Sequence, residues 1–545
     1  MSAAREGVRN VLWIMADQLR WDYLSCYGHP SLKTPHLDAL AEKGVRFNRA
    51  YVQSPICGAS RMSFYTGRYC RSHGATWNGI PLRVGEPTLG DHLRPLGVRP
   101  VIVGKTHMIP DREGMEWLAI DPHSAIGVTL AECGFEPYER DDGLHPYGPF
   151  DPDPRYDTYL REKGFDSRNP WEDWANSGEG DDGELLSGWL LRYSNLAARV
   201  PDEHSETPYI TSRAMDFIAE AGDKPWLCHL SYIKPHWPYI VPAPYHNMYG
   251  ESDILPVVRS DAERETDHPV FHAYQNTRIC RAFSRPGVRE RVIPAYMGLV
   301  KQIDDQMGRL FAWMQERGLF ENTMIVFSSD HGDYLGDHWM GEKDLFHDPS
   351  VRVPLIVYDP RAQADATRGS VCEQLVEGID LAPTFLSYFG GKPKPHILEG
   401  RSLEPLLHGR GEPESWRQYA ISEYDYGTRY ARVAMGIAEE DARLIMICDK
   451  RWKYWHAEGF RPMLFDLQTD PLELNDLGKD PDFEGVRRRM HEAIFEWARR
   501  HHNRITRSPE QIAQMSNREP PGILIGVWDE KDYEEHFGKP FSERP

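Results

Sequence analysis

The sequence predicts an α/β protein: a large, mostly parallel sheet flanked by helices, with a smaller C-terminal α+β domain containing an antiparallel sheet. Three observations predict it. Four apolar runs share one form, and each ends in polar residues. An amphipathic helical pattern lies between the later runs. Beyond about residue 390 the runs become short and are separated by turns.

The first run, residues 8–16 (VRNVLWIMA), ends at Asp17 and Gln18. Residues 98–103 (VRPVIV) lead into Gly104, Lys105 and His107, and residues 226–233 (WLCHLSYI) into Lys234 and His236. Residues 323–327 (TMIVF) lead into Ser328, Ser329, Asp330 and His331. Continuous apolar runs of this length suit strands buried on both faces. The helical pattern is clearest over 294–316, where Tyr296, Leu299, Val300, Ile303, Met307, Leu310, Phe311 and Met314 share one face. In such sheets ligands bind beyond the carboxyl ends of the strands, so the polar residues ending the four runs are expected to share one site.

The larger domain is expected over 1–390. Two insertions, about 110–205 and 241–292, have poor periodicity, and the first is read as lying over the site or at a subunit contact. Residues 391–505 form the smaller domain. There 430–436 (YARVAMG), 442–448 (ARLIMIC), 451–456 (RWKYWH) and 462–467 (PMLFDL) read as strands, and 484–502 as a helix. The charged tail, 506–545, with PPG at 520–522, is expected to lie on the surface or wrap a neighbour. That predicts a homo-oligomer, a dimer or tetramer.

Lys and Arg total 63 against 83 Asp and Glu, a net charge of −20. This argues against nucleic acid or an anionic membrane as a main partner. It leaves room for a small cationic pocket. No run approaches the roughly 18 apolar residues of a membrane-spanning helix. The opening MSAAREGVRNVLWIMADQ has too short an apolar core for a signal peptide. The 8 cysteines are scattered, with no CxxC pair. Together these features predict a cytoplasmic protein with reduced thiols.

In SPICGASRMSFYTG (54–67), Cys57 falls just before a helix that is expected to close at Gly67. A helix N-terminus offers free N–H groups and a partial positive charge. That setting favours an anionic nucleophile and an anionic substrate, and Arg61, one turn in, adds charge. Taken alone, the cysteine would read as a small buried hydrophobe.

These residues carry a resemblance. C-G-A-S-R followed by T-G-R resembles the sulfatase signature Cys-x-Pro-Ser-Arg, in which a dedicated enzyme oxidises the cysteine to formylglycine. The departure is Ala59 in place of proline. MADQLRWDYLSCYG resembles the family's N-terminal block, GKTH (104–107) its Gly-Lys-x-His block and KPHWPY (234–239) its Pro-His-x-Pro block. SSDHGDYLGDH (328–338), GEKDLFHD (341–348) and VRVPLIVYDP (351–360) follow in the family's order. GIDLAPTFLSYFG (378–390), RSLEPLLHG (401–409) and LFDLQTDPLELNDL (464–477) resemble later landmarks. The resemblance covers most of the chain. It is to the formylglycine sulfatases and phosphonate monoester hydrolases of the alkaline phosphatase superfamily. It implies an alkaline-phosphatase-like fold, a divalent metal, maturation by a formylglycine-generating enzyme and a small anionic ester as substrate.

Asp17, Gln18, Asp330 and His331 are three oxygen donors and one imidazole. With residue 57 they suit Ca²⁺ or Mn²⁺ ahead of Mg²⁺. Lys105, Lys343 and His236 are read as holding the non-bridging oxygens of the ester and offsetting charge on the leaving oxygen. Asn78 reads equally as an uncharged donor to those oxygens or as a turn residue before Gly79. His107 is read as accepting a proton from formylglycine hydrate, and His236 or Lys343 as protonating the leaving alcohol. Arg61 is expected to help hold the attacking hydroxyl. His229, inside a strand, reads as a core histidine, and His338 and His347 are given no role.

Lys105 and His107 resemble the sulfatase pattern, whereas phosphonate monoester hydrolases have Tyr and Thr at those positions. The Asp330-His331 pair, Ala59 and the long tail resemble the phosphonate group. The expected function is arylsulfatase-like hydrolysis of aryl or small alkyl sulfate monoesters, with phosphonate monoesters and phosphate diesters as further substrates. One alternative is phosphonate monoester or phosphodiester hydrolysis as the main activity. Another is an unmodified, non-catalytic member that binds metal and anions.

Overall fold

Every residue of strand β1 (Asn10–Asp17) is buried, because the strand lies inside an eight-stranded sheet. The computed structural model describes residues 9–143, 154–410, 416–500, 502–515 and 524–543. The PPG stretch of the tail lies outside the described residues. The other strands of the sheet are β2 (Val45–Tyr51), β3 (Arg99–Gly104), β4 (Glu136–Arg140) and β5 (Trp226–Pro235). They are joined by β6 (Thr323–Ser329), β7 (Arg352–Tyr358) and β8 (Ser370–Glu377). The order is β8-β2-β7-β6-β1-β5-β3-β4. Only β7 runs antiparallel to its neighbours, so the sheet is mostly parallel, as expected.

Helices cover both faces. Val11, Trp13 and Met15 of β1 pack with Ala59, Met62, Phe64 and Tyr65 of α1 (Cys57–Thr66). Leu12, Ile14 and Ala16 point the other way. They meet Ile210, Ala214 and Phe217 of α2 (Glu206–Glu220) and Met297, Val300, Ile303 and Met307 of α3 (Val288–Glu316). Burial of both faces is what removes the polar alternation from the sequence. The apolar stripe read over 294–316 belongs to α3, whose helix begins earlier and runs through Pro294.

Two segments depart from expectation. Residues 136–140, within the stretch read as an insertion, form β4, the edge strand beside β3. The run at 430–436 is not a strand but helix α4 (Tyr430–Met435). Its alanines and methionine favour helix, and Gly436, at φ 68°, closes it in the left-handed conformation. The smaller sheet is instead β9 (Ala420–Asp425), β10 (Arg443–Cys448), β11 (Trp452–Ala457) and β12 (Met463–Asp466), paired antiparallel in that order. One face joins the main core through Met446, Trp455 and Phe465. The other packs against Met490, Ile494 and Trp497 of α5 (Glu484–Ala498).

All 8 cysteines are free. Among the described residues, no helix is long and apolar enough to cross a membrane.

His229 stacks on Trp13 at 3.9 Å between ring centroids. Its Nδ1 lies 3.2 Å from the Trp13 carbonyl oxygen and its Nε2 3.0 Å from the Tyr65 hydroxyl. Burial, with Arg61 next, holds its pKa well below the usual histidine value. The unfolded chain therefore takes up a proton here below about pH 6.5 that the folded chain refuses. This group alone should lower stability as the pH falls through about 6.5. Melting curves at pH 7 and pH 5 test this: the acid-induced drop in Tm should be smaller in His229→Phe than in the parent.

Candidate active site

The parallel register builds the floor of the site. Ala16 of β1 pairs with Ser329 of β6, so the next residues, Asp17 and Asp330, come out side by side. Gly104 of β3 pairs with Ser231 of β5, and Lys105 follows. Gly104 has φ 111°, and a Cβ there would lie 1.9 Å from the Ser231 carbonyl oxygen. Only glycine lets the two strands approach this closely just before the lysine.

Cys57 is the first residue of α1, at its N-terminus. Its Sγ lies 3.0 Å from His331 Nε2, 3.2 Å from Lys343 Nζ and 3.8 Å from Asp17 Oδ1. Asp17, Cys57, Asp330 and His331 are buried, and each brings one ligand atom within 4.8 Å of the others. Gln18 joins them: its backbone N–H donates to Asp330 Oδ1 (3.1 Å), and its Oε1 accepts from Lys343 Nζ (3.1 Å).

The donor set fits a divalent cation. His331 Nδ1 bonds the Gly332 carbonyl oxygen at 2.9 Å, which leaves Nε2 to face the cluster. Burial opposes a charge on His331, but Asp330 and Cys57 outweigh it and push its pKa to about 9. The cluster thus demands a positive charge, which a bound ion would supply in place of that proton. Burial and the Cys57 sulfur press the Asp17 carboxyl upward. Lys105, His236 and Arg61 overcome them and hold it below the usual carboxylate range. Burial likewise raises the Cys57 thiol, yet Lys343, His331 and Lys105 bring it well below its ordinary value.

Arg61 sits one turn into α1. It does not line the cavity but lies fully buried beneath it. Nε donates to Asp330 (2.8 Å), one terminal nitrogen to the Lys105 carbonyl (2.9 Å) and Ser231 Oγ (2.7 Å), and the other to Asp17 (3.2 Å). One helical turn carries its side chain down onto the strand ends. It positions the carboxylates.

Lys105 Nζ lies 2.6 Å from Asp17 Oδ2. Lys343 Nζ lies 3.2 Å from His236 Nε2, whose other nitrogen is 2.8 Å from the Trp237 carbonyl oxygen. Burial, then Lys343, lowers the His236 pKa to about 4, so the imidazole is neutral at physiological pH. His107 has φ 54°, a conformation held by Asp142 Oδ1, which accepts from the backbone N–H groups of Thr106 and His107. Its Nδ1 is buried without a hydrogen-bond partner. Asn78 Oδ1 accepts from the Gly58 N–H at 2.8 Å, so the residue satisfies the start of α1 while its amide NH₂ remains a donor.

A cavity of about 280 Å³ opens over these groups, lined by Asn78, His107, His236 and Lys343. Its outer wall adds Trp77, Trp237, Glu342 and Arg429, which sequence reasoning did not assign. Trp237 sits in the KPHWPY block and was within reach of that reading. Arg429 comes from the loop before α4 and had no local signal. Lys343 stands between Glu342 (φ 65°) and Asp344 (φ 120°), both in a backbone region that costs non-glycine residues about 1–3 kcal/mol. Arg429 and Tyr424 anchor Asp344. His338 and His347 stack on each other at 3.9 Å and do not line this cavity.

A family profile described as Sulfatase matches residues 9–391, and one described as N-sulphoglucosamine sulphohydrolase, C-terminal, matches residues 336–500. The chain is 31% identical over 519 residues to the multifunctional alkaline phosphatase superfamily protein PehA of Trinickia caryophylli, covering 91% of this chain and 96% of that one. It is 26% identical over 489 residues to an arylsulfatase of Clostridium perfringens, covering 87% and 91%. The phosphonate monoester hydrolase of Silicibacter pomeroyi matches with a TM-score of 0.78 at 27% identity, covering 91% of this chain and 97% of that one. That of Agrobacterium radiobacter matches at 0.77 and 30%, covering 90% and 95%. The Sulfatase match runs through every strand end that builds the cluster: the chain belongs to the sulfatase family of the alkaline phosphatase superfamily, hydrolases of sulfate or phosphonate esters.

Proposed function

We propose that the protein hydrolyses sulfate monoesters of aryl or small alkyl alcohols, and that the same site accepts phosphonate monoesters and phosphate diesters. The observation that carries this reading is the pair of buried ammonium groups, Lys105 and Lys343, set around residue 57 at the N-terminus of α1. All three substrate classes present a singly charged tetrahedral centre to that arc.

Formylglycine at position 57, as its hydrate, supplies an attacking hydroxyl and a second hydroxyl whose deprotonation frees the inorganic product, while a divalent ion supplies Lewis-acid charge. Asp17, Gln18, Asp330 and His331 would hold the ion, Ca²⁺ or Mn²⁺. Lys105 and Lys343 bind the non-bridging oxygens, and the Asn78 amide adds an uncharged donor. Burial works against the Lys343 charge, but Cys57 and Glu342 outweigh it and hold the ammonium above its usual range. Conversion of Cys57 to a neutral group removes the first of those supports. The Lys343 proton is then easier to give to the leaving alcohol, with neutral His236 beside it to take part in the relay. His107, with its unpartnered Nδ1, accepts the proton of the second hydroxyl. A formylglycine-generating enzyme is the implied maturation partner.

A second reading, phosphonate monoester hydrolysis as the main activity, is favoured by the likeness to the two phosphonate monoester hydrolase structures.

Three outcomes are expected. The peptide containing residue 57, from protein co-produced with a formylglycine-generating enzyme, should show in mass spectrometry the loss of H₂S and gain of one oxygen. An unmodified thiol in an active preparation would refute the nucleophile. In steady-state assays kcat/KM for an aryl sulfate should exceed that for a phenylphosphonate monoester, and the reverse order would select the second reading. Lys105→Ala should lower kcat/KM by about 10²–10³-fold. A loss under threefold would remove Lys105 from the site.

A further inference from the structure

A cavity of about 700 Å³ lies apart from the one over the active-site cluster. It lies where the end of α5 and the chain beyond it face the loops around 395–401 and 416–421. In a chain of net charge −20, its lining carries five arginines, Arg401, Arg417, Arg500, Arg504 and Arg507, against two glutamates, Glu399 and Glu496.

Arg401 lies over the Trp416 ring, and the other four arginines divide into two groups. Arg417 is buried and committed: it pairs with Glu377 at 2.6 Å and Asp380 at 2.5 Å. Arg500, Arg504 and Arg507 are exposed, and among the described residues none has a carboxylate partner. Glu399 offers them little, because it is already held by His502 and by the backbone N–H of Tyr69 (3.0 Å). A further wall residue, His396, has its Nδ1 buried without a hydrogen-bond partner. Three exposed guanidinium groups gathered in one concavity, with Glu496 as the other carboxylate of its lining, raise its potential and concentrate counter-ions there. Guanidinium groups match phosphate and sulfate oxygens with paired N–H donors. The volume falls within the roughly 300–1,000 Å³ of small-molecule sites.

We propose that this cleft binds a small polyanion carrying two or more phosphate or sulfate groups, held by Arg500, Arg504 and Arg507 against the wall formed by His396 and Arg401. The site is separate from the one that carries the hydrolytic reading. It is nonetheless joined to it through the backbone. The Glu399 N–H donates to the Gly67 carbonyl at 2.9 Å, and Gly67 ends the helix that begins with Cys57. A bound polyanion would therefore lie against the loop that fixes the far end of α1.

Calorimetric titration with inorganic tripolyphosphate, at fixed ionic strength set by chloride, tests this on three full-length proteins. They are the parent, Arg500→Glu/Arg504→Glu/Arg507→Glu, and Lys105→Ala. The parent and Lys105→Ala should bind one tripolyphosphate per chain with similar affinity. The triple variant should bind at least tenfold more weakly while keeping its ester hydrolysis and its Tm. The three positions are exposed, so folding is not at risk. Three outcomes would overturn the proposal. These are equal affinity in the triple variant, loss of binding only in Lys105→Ala, and a triple variant that changes oligomeric state but not anion binding. The last would assign the cleft to a protein contact.

Discussion

Arg61 lies between Asp17 and Asp330, buried on all sides, and the rest of the site is arranged around that contact. The two carboxylates emerge from neighbouring parallel strands, and nothing in the sheet alone would keep them together, since like charges in a dry interior repel. The guanidinium makes the pair tolerable. It spends its remaining donors on the Lys105 carbonyl and on Ser231, so one side chain ties the ends of β1, β3, β5 and β6 to the first turn of α1. Removing one partner from a buried ion network costs about 3–5 kcal/mol, because the charge left behind has no solvent to turn to. Above the guanidinium, Asp17, Cys57, Asp330 and His331 bring ligand atoms within 4.8 Å of one another, and that is where a divalent ion would sit.

The site divides into a rigid floor and a strained rim. The floor sits on the sheet, where register fixes Asp17, Asp330 and Lys105 within a narrow range. The rim is Lys343, between two residues of positive φ, and His107, also of positive φ. Each is held by contacts from a different element: Arg429 and Tyr424 from the C-terminal part, and Asp142 from the end of β4. Residues in such conformations persist only where their surroundings over-determine them. The smaller sheet thus reaches the chemistry through Arg429, which braces the lysine loop and lines the cavity.

The sheet was legible because burial on both faces leaves an uninterrupted apolar signature, and the strand-end rule then gathered Asp17, Lys105, His236 and Asp330 without reference to any relative. Cys57 needed more: its local sequence suits a structural cysteine equally well, and the family resemblance decided between them. The misreadings have physical causes. YARVAMG mixes apolar and polar residues in a way that fits either period over so few residues, and its terminal glycine closes a helix. β4 is short, half-exposed and rich in charge, so it carries none of the signature of the central strands. For Arg61, spacing along a helix gives proximity to Cys57 but not the direction of the guanidinium, which spans Asp17 and Asp330. The hydrogen bond from the start of α1 to Asn78 depends on a loop path that sequence does not specify.

The claim on which everything else rests is that Arg61 organises the carboxylates into a metal site. Metal analysis of the purified parent and of Arg61→Lys, both checked by circular dichroism, tests it most directly. The account predicts one divalent ion per chain in the parent and a clear deficit in Arg61→Lys, since lysine keeps the charge but loses the fork that spans Asp17 and Asp330. Equal occupancy in the two folded proteins, or a parent that binds no divalent ion when one is supplied, would contradict it.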